Sequence, residues 1–229
     1  MRSVTVVGDS TAGGEASAPN LLSASAYNTL CSRLVLCEIM PGERLSEPEL
    51  RSSLGFGTTP VREAIRRLTF ERLVVVYPRS GTYATDIALK NSRSVTELRL
   101  ELEGLAATLA CRRGSDAEKQ HLLALAEQQA ETTNLQECID LDATFHRAMY
   151  AMTRNEDLSA TAEIHFNLAL RQWYFCSKVV KSPGGTAVDH RPLAEAIIRQ
   201  DAEAASAHIR DHVLHDSQKV VRILTDYGL

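Results

Sequence analysis

The stretch TTPVREAIRRLTFERL, Thr58 to Leu73, carries apolar residues at Val61, Ala64, Ile65 and Leu68. That spacing predicts one buried helical stripe. Arg62, Arg66 and Thr69 then fall on the opposite side. Pro60 suits a first helical turn, where the N–H it lacks has no intrahelical acceptor. Upstream, SEPELRSSL (Ser46–Leu54) predicts a shorter helix, with Ser46 as N-cap and Glu49 three residues on, the spacing of a capping box. GFG (Gly55–Gly57) separates the two helices. Downstream, LVVVYP and TYATDI are β-branched and aromatic and flank Arg79-Ser80-Gly81, the pattern of a hairpin. Helix, glycine-bearing turn, helix and hairpin, in that order, make a winged helix-turn-helix.

In such a module the second helix enters the DNA major groove with its N-terminal residues at the base edges. Thr58, Thr59 and Pro60 sit at that end, and Arg62 follows one turn on. Arginine matches the paired acceptors of guanine, and the open N–H groups of a helix start favour phosphate. Arg66 on the same face suits the backbone, and Arg51 belongs to the same cationic set. The wing tip, Arg79 to Thr82, is placed to meet the neighbouring minor groove or backbone, with Gly81 permitting the tight turn. A solvated arginine face is the bland alternative. It accounts for the arginines singly but not for their order with the turn and hairpin.

The chain as a whole is no polyanion binder. It has 229 residues and a formal charge of −4, so a nucleic-acid surface has to be local. Between Arg51 and Tyr83 six arginines (51, 62, 66, 67, 72 and 79) face only Glu63 and Glu71, whereas acids outnumber bases from Ala88 onward. The length suits two domains, each with its own core. Five scattered cysteines without a C-x-x-C read as reduced thiols of a cytoplasmic protein. No apolar run reaches membrane-span length, so no membrane partner is expected. Residues 1–20, rich in Gly, Ser, Ala and Thr, read as a flexible tail without a signal-peptide core.

The expected organisation is a winged helix-turn-helix over 21–87, a linker at 88–91 and an all-helical domain over 92–229. In the last part, amphipathic stretches run Ser94–Arg113, Ala117–Thr132, Leu135–Met152, Leu158–Val180 and His190–Leu224, broken by RGSD, TRNED and KSPGG. The fold class is therefore mostly α, with a C-terminal bundle of about six helices.

Within that bundle, DLDATFHRAMY places Asp142 and His146 four residues apart, on one helix face and within reach of a single ion. By itself such a pair is usually a surface pair. Further on stand His190, His208, His212 and His215. One carboxylate with three imidazoles suits Zn²⁺, Ni²⁺ or a similar divalent metal ion, with positions left for water or an acid. Spacing does not choose among the histidines. His121 and His165 read as ordinary. Arg99 in ELRLELEGLAA and Arg171 in NLALRQW are candidates to bind an effector carboxylate, since arginine contacts it bidentately. The plain alternative for each is a helix-surface ion pair.

The segment PGERLSEPELRSSLGFGTTPVREAIRRLTFERLVVVYPRSGTYATDI closely resembles the DNA-binding domain of the GntR family of bacterial transcription regulators. Pro41, Gly42, Leu45, Leu54, Gly55, Thr59, Pro60, Val61, Arg62, Glu63, Ala64, Leu68 and Gly81 fit the family pattern. Gly57-Thr58 stands where the family has Ser-Arg, so one guanine-reading arginine is missing. Arg72 stands where glycine is common before the first wing strand. The order Asp-x-x-x-His, a later histidine opening a helix and another twenty-two residues beyond resembles the FCD ligand-binding domain of the FadR-like branch. RNEDL and AIIRQDAEAA fit its flanks.

That resemblance implies Asp142, His146, His190 and His212 as the metal ligands, with a small organic acid effector beside them. His208 and His215 are left as neighbours of the site. It also implies a homodimeric transcription regulator, a repressor or an activator, that binds a double-stranded DNA operator and is not an enzyme. The alternatives are a metal-dependent enzyme, for which no H-E-x-x-H or paired general base is present, and a bundle in which the ion is only structural.

Overall fold

The computed structural model describes residues 18–179, 189–226 and 228. The expected tail lies outside these residues except for 18–20, as does the expected interruption at KSPGG. The chain divides into two compact units, Met1–Ile87 and Ala88–Leu229.

The first unit holds α1 (Ala18–Val35), β1 (Arg44–Leu45), α2 (Glu47–Leu54), α3 (Thr58–Phe70), β2 (Val74–Tyr77) and β3 (Gly81–Ala84). Val61, Ala64 and Leu68 are buried on α3 together with Leu30 and Leu34 of α1. Ile65, expected in the same stripe, is half-buried, and so is Thr69. β2 and β3 form the hairpin in the register Val74↔Ala84 to Tyr77↔Gly81. The sheet has a third strand that alternation did not reveal: β1 pairs with β3, in the order β1-β3-β2. Two residues are too few to show a period of two.

The helix ends explain where α2 and α3 begin and stop. Gly55, at φ +73°, ends α2 in the left-handed conformation that favours glycine. The capping box expected at Ser46 does not form, because the Ser46 side chain makes no capping hydrogen bond. Pro48 removes one of the N–H donors that such a cap serves. Arg72, at φ +66°, adopts the same left-handed region with a full side chain, a strained conformation for any residue but glycine.

The second unit is α4 (Leu89–Arg113), α5 (Asp116–Glu131), α6 (Leu135–Met152), α7 (Glu156–Val179), α8 (Arg191–Ile198) and α9 (Ala202–Asp226). Four of its six helix starts, those of α5, α6, α7 and α9, are set by short polar side chains. Ser115 and Glu118 make the reciprocal capping box of α5, and Asn134 Oδ1 accepts from the Glu137 N–H at the start of α6. Asn155 Oδ1 accepts from Leu158 N–H. Asp201 Oδ1 accepts from Ala204 N–H, so the stretch expected to run unbroken from His190 to Leu224 restarts there as α9. α4 begins at Leu89, so residues 89–91, expected in a linker, are helical. α4 and α9 run side by side, joined by Thr96–Ser217 at 2.7 Å and Arg210–Glu101 at 2.7 Å. Phe145, Phe166, Leu122, Met149, Met152, Ile197 and Ile209 are fully buried and form this unit's core. The five cysteines, all among the described residues, form no disulfide.

Candidate nucleic-acid interface and candidate metal centre

α3 offers its first turn outward. Gly57 is its N-cap and has no side chain to satisfy the helix start. The N–H groups of Thr58 and Thr59 are those a helix leaves without an internal acceptor, so they are open to an anion. Thr59 is exposed, and Thr58 and Pro60 are half-buried. Arg62 is 68% exposed at its side chain, and its Nε donates to Glu47 Oε2 of α2 at 2.9 Å. Arg62 is thus on the surface, with its guanidinium paired to a carboxylate of α2. Arg51, Arg66 and Arg79 are exposed, and Gly81 and Thr82 are half-buried at the wing. Gly81 lies at φ +122°, and Arg79 also takes a positive φ, +66°. The wing tip therefore uses two left-handed residues where one was expected.

Arg67 departs from the cationic set in which its sequence position groups it. Its guanidinium stacks on the Tyr27 ring at 3.5 Å, and its Nε donates to Glu71 Oε1 at 2.9 Å. The Tyr27 hydroxyl donates to Glu71 at 2.8 Å. Glu71 is buried and satisfied by both donors, so Arg67 serves the α1–α3 contact.

In the helical unit the fold gathers four distant residues. Asp142 and His146 come from α6, His190 is the N-cap residue of α8, and His212 comes from α9. Each offers one donor atom, and these atoms lie within 4.8 Å of one another. His146 Nε2 is 3.2 Å from His212 Nε2. His146 Nε2 is 3.8 Å from Asp142 Oδ2, while His190 Nε2 and His212 Nε2 lie 3.6 and 3.8 Å from Asp142 Oδ1. The three histidines are buried, and Asp142 is half-buried. His208, His215 and His121 are exposed and are not members of the group. His165 is half-buried, with Nδ1 at 2.9 Å from the Thr161 carbonyl.

The ring orientations fit a cation. His190 Nδ1 meets Gln129 Oε1 at 2.5 Å, so Nδ1–H donates to the amide oxygen and the Nε2 lone pair faces the cluster. That buried Nε2 has no hydrogen-bond partner. His146 Nδ1 lies 2.7 Å from Glu103 Oε2, a charge contact on the side of the ring away from the cluster. The buried Nδ1 atoms of His146 and His212 both lack an aligned hydrogen-bond partner. Two imidazole nitrogens 3.2 Å apart need a proton or a cation between them, and a divalent ion satisfies all four donors at once.

The electrostatics agree. Burial pushes His190 down to about 4 and His212 well below the imidazole range, so both are neutral, as ligands must be. Burial also lowers His146, but the Glu103 and Asp142 carboxylates outweigh it and raise its pKa. Burial would raise Glu103, yet Arg99 and His146 hold it down at about 2. Burial and the Asp142 carboxylate push Asp216 up to about 7.

Arg99 is buried and its Nε donates to Glu103 Oε1 at 2.5 Å, with its guanidinium 5.3 Å from the Phe166 ring centre. Arg171 is buried on α7. Arg99 therefore stands behind His146 in a chain running Arg99–Glu103–His146. Glu103, Gln129 and Asp216 were not singled out in the sequence. Glu103 and Asp216 had a faint signal in their i,i+4 spacing from Arg99 and His212, and Gln129 had none.

Residues 22–84 match the model of the bacterial regulatory proteins of the gntR family, and residues 94–215 match that of the FCD domain, more than half of the chain. The chain belongs to the GntR family. This GntR protein is 28% identical to the uncharacterized HTH-type transcriptional regulator YdhC of Bacillus subtilis, over 87% of the chain and 91% of that relative. It is 26% identical to the HTH-type transcriptional repressor GlaR of Escherichia coli, over 85% and 93%. Its fold is similar to that of E. coli McbR/YncC, with a TM-score of 0.72 at 22% identity, over 90% of this chain and 98% of that one. The GntR protein is thus a DNA-binding transcriptional regulator with an FCD effector-binding domain, not an enzyme. No described helix is long and apolar enough to cross a membrane.

Proposed function

We propose that this regulator is a cytoplasmic homodimeric repressor whose hold on its operator is set by a small organic acid bound at a divalent metal ion. The observation that carries the reading is the convergence of Asp142, His146, His190 and His212, one donor atom each, within 4.8 Å in the FCD domain. These four residues hold the ion, Zn²⁺, Ni²⁺ or similar. When bound, the ion supplies a Lewis-acidic site for a carboxylate. Glu103 and Gln129 orient the imidazoles of His146 and His190 through their Nδ1 atoms. Arg171, buried on α7, and Arg99, whose Nε is paired with Glu103, are the arginines we assign to the effector carboxylate.

On the DNA side, the first turn of α3 and Arg62 read bases. Arg51, Arg66, Arg79, Gly81 and Thr82 hold the backbone and the neighbouring groove. In a homodimer two α3 helices would meet half-sites about 34–36 Å apart. Repression is the mode named for GlaR, and we assign it here. The domain division we assign is a reading unit up to Ile87 and a sensing and dimerising unit from Ala88, the division into compact units. Exposed Leu98 and Leu105 of α4 and Leu214 and Val221 of α9, each pair seven residues apart on adjoining helices, offer the apolar face to a second copy.

The effector acts only if it favours one arrangement of the reading units over another. The test is a thermal-shift screen of small organic acids with and without divalent metal, followed by operator-binding assays. Stabilisation by an acid only in the presence of metal, with a change in operator affinity, is the expected result. An acid that binds equally well to the metal-free protein refutes the pocket chemistry.

A further inference from the structure

Four protein donors leave a six-coordinate ion two further positions. One more protein carboxylate, outside the group of four, approaches one of these donors. Asp216 lies one helical turn after His212 on α9, and its Oδ2 is 3.2 Å from His212 Nε2. That nitrogen is the one that approaches both His146 Nε2, at 3.2 Å, and Asp142 Oδ1, at 3.8 Å. Asp216 is only 8% exposed, so its carboxylate is withdrawn from water. A second buried carboxylate beside Asp142 is costly unless a cation lies between them.

We propose that Asp216 is a fifth protein ligand to the divalent ion, and the ligand that an incoming organic acid displaces. The inference rests on the metal reading above. With Asp216 bound, one position stays open, enough for a single carboxylate oxygen. A carboxylate that binds the ion through both of its oxygens, as acetate can, has to push Asp216 off. The site therefore carries its own competitor for the effector, which sets a threshold concentration for the response.

The probes are Co²⁺, whose visible bands report coordination number and ligand type, and acetate as the simplest carboxylate. Wild type, Asp216→Asn, Asp216→Glu and His146→Ala are loaded with Co²⁺ as full-length protein, and folding is checked by circular dichroism. Wild type should bind one Co²⁺ and His146→Ala should lose most of that binding. Asp216→Asn should bind Co²⁺ roughly tenfold more weakly, with shifted bands, and should take acetate at roughly a tenth of the wild-type concentration. Asp216→Glu, which moves the carboxylate by one methylene, should also shift the bands and reads the same ligand should the asparagine variant not fold. Bands, Co²⁺ affinity and acetate response unchanged in the folded Asp216 variants overturn the role of Asp216 while leaving the metal site standing. A wild-type protein that binds no stoichiometric Co²⁺ overturns both.

Discussion

His146 Nε2 of α6 lies 3.2 Å from His212 Nε2 of α9, sixty-six residues further along the chain. Glu103 meets the opposite side of the His146 ring at 2.7 Å. A ring held on one side by a carboxylate and pressed on the other against a second imidazole is arranged for a cation between the two.

Metal occupancy should therefore read out as stability. At a free Zn²⁺ or Ni²⁺ concentration about a hundred times the dissociation constant, the folded state gains about 2.7 kcal/mol. Chelation should lower the thermal midpoint of the wild type and leave that of His146→Ala unmoved. Equal chelator effects on the two proteins would contradict the ligand assignment.

Arg62→Ala should weaken binding to an operator selected from random duplexes by roughly ten- to a hundredfold, the loss of one bidentate base contact. The circular dichroism spectrum and oligomeric state should not change, because the side chain is mostly in solvent. Arg67→Ala should behave in the opposite way. It removes the stack on Tyr27 and a partner of buried Glu71, so it should destabilise the reading unit by about 1–3 kcal/mol. Gel shifts and urea unfolding of both variants separate the two roles.

Arg72→Gly should stabilise the protein. Arg72 is exposed and sits at φ +66°, where a side chain costs about 1–2 kcal/mol. Part of that gain is lost to the greater freedom of glycine in the unfolded chain, which leaves an expected increase of about 0.5–1 kcal/mol in urea unfolding. A decrease would show that the arginine side chain makes a contact worth more than the strain.

The capping box of α5 gives a pH signature. Hydrogen bonding from the Ser115 backbone, assisted by its hydroxyl and by Arg154, holds the Glu118 carboxyl below its ordinary value of 4.5. A depressed carboxylate contributes stability that is fully present above that value and is lost as pH falls through its folded pKa. Glu118→Gln should therefore be less stable than wild type at neutral pH, with the gap closing in acid below 4.5. Ser115→Ala should cost about 1 kcal/mol at neutral pH.

Leu98→Asp combined with Leu214→Asp should shift the protein from dimer to monomer in light scattering while leaving its helix content intact. Both side chains are exposed in the single chain, so a charge there costs little within one copy and much in an apolar interface. A double variant that stays dimeric places the interface elsewhere.

The order of helices and hairpin was legible in the sequence because their periods are local. Val61, Ala64 and Leu68 recur at helical spacing whatever surrounds them, and the GntR-like run from Pro41 to Gly81 carries its own turns. The helical half was legible as amphipathic stretches, and Asp142 and His146 as a pair on one face. Spacing alone could not separate His190 and His212 from His208 and His215. That choice came from resemblance, and burial separates the two pairs in the fold.

Tertiary structure alone decided what long-range packing controls. It took Arg67 out of the cationic face and gave it to Tyr27 and Glu71, put Glu47 on Arg62, and set Glu103, Gln129 and Asp216 around the four gathered donors. Local sequence determined which surfaces each helix has, since side-chain direction follows from the helical repeat. It could not determine which surfaces meet, because residues 61 and 66 positions apart come within bonding distance only when whole helices pack.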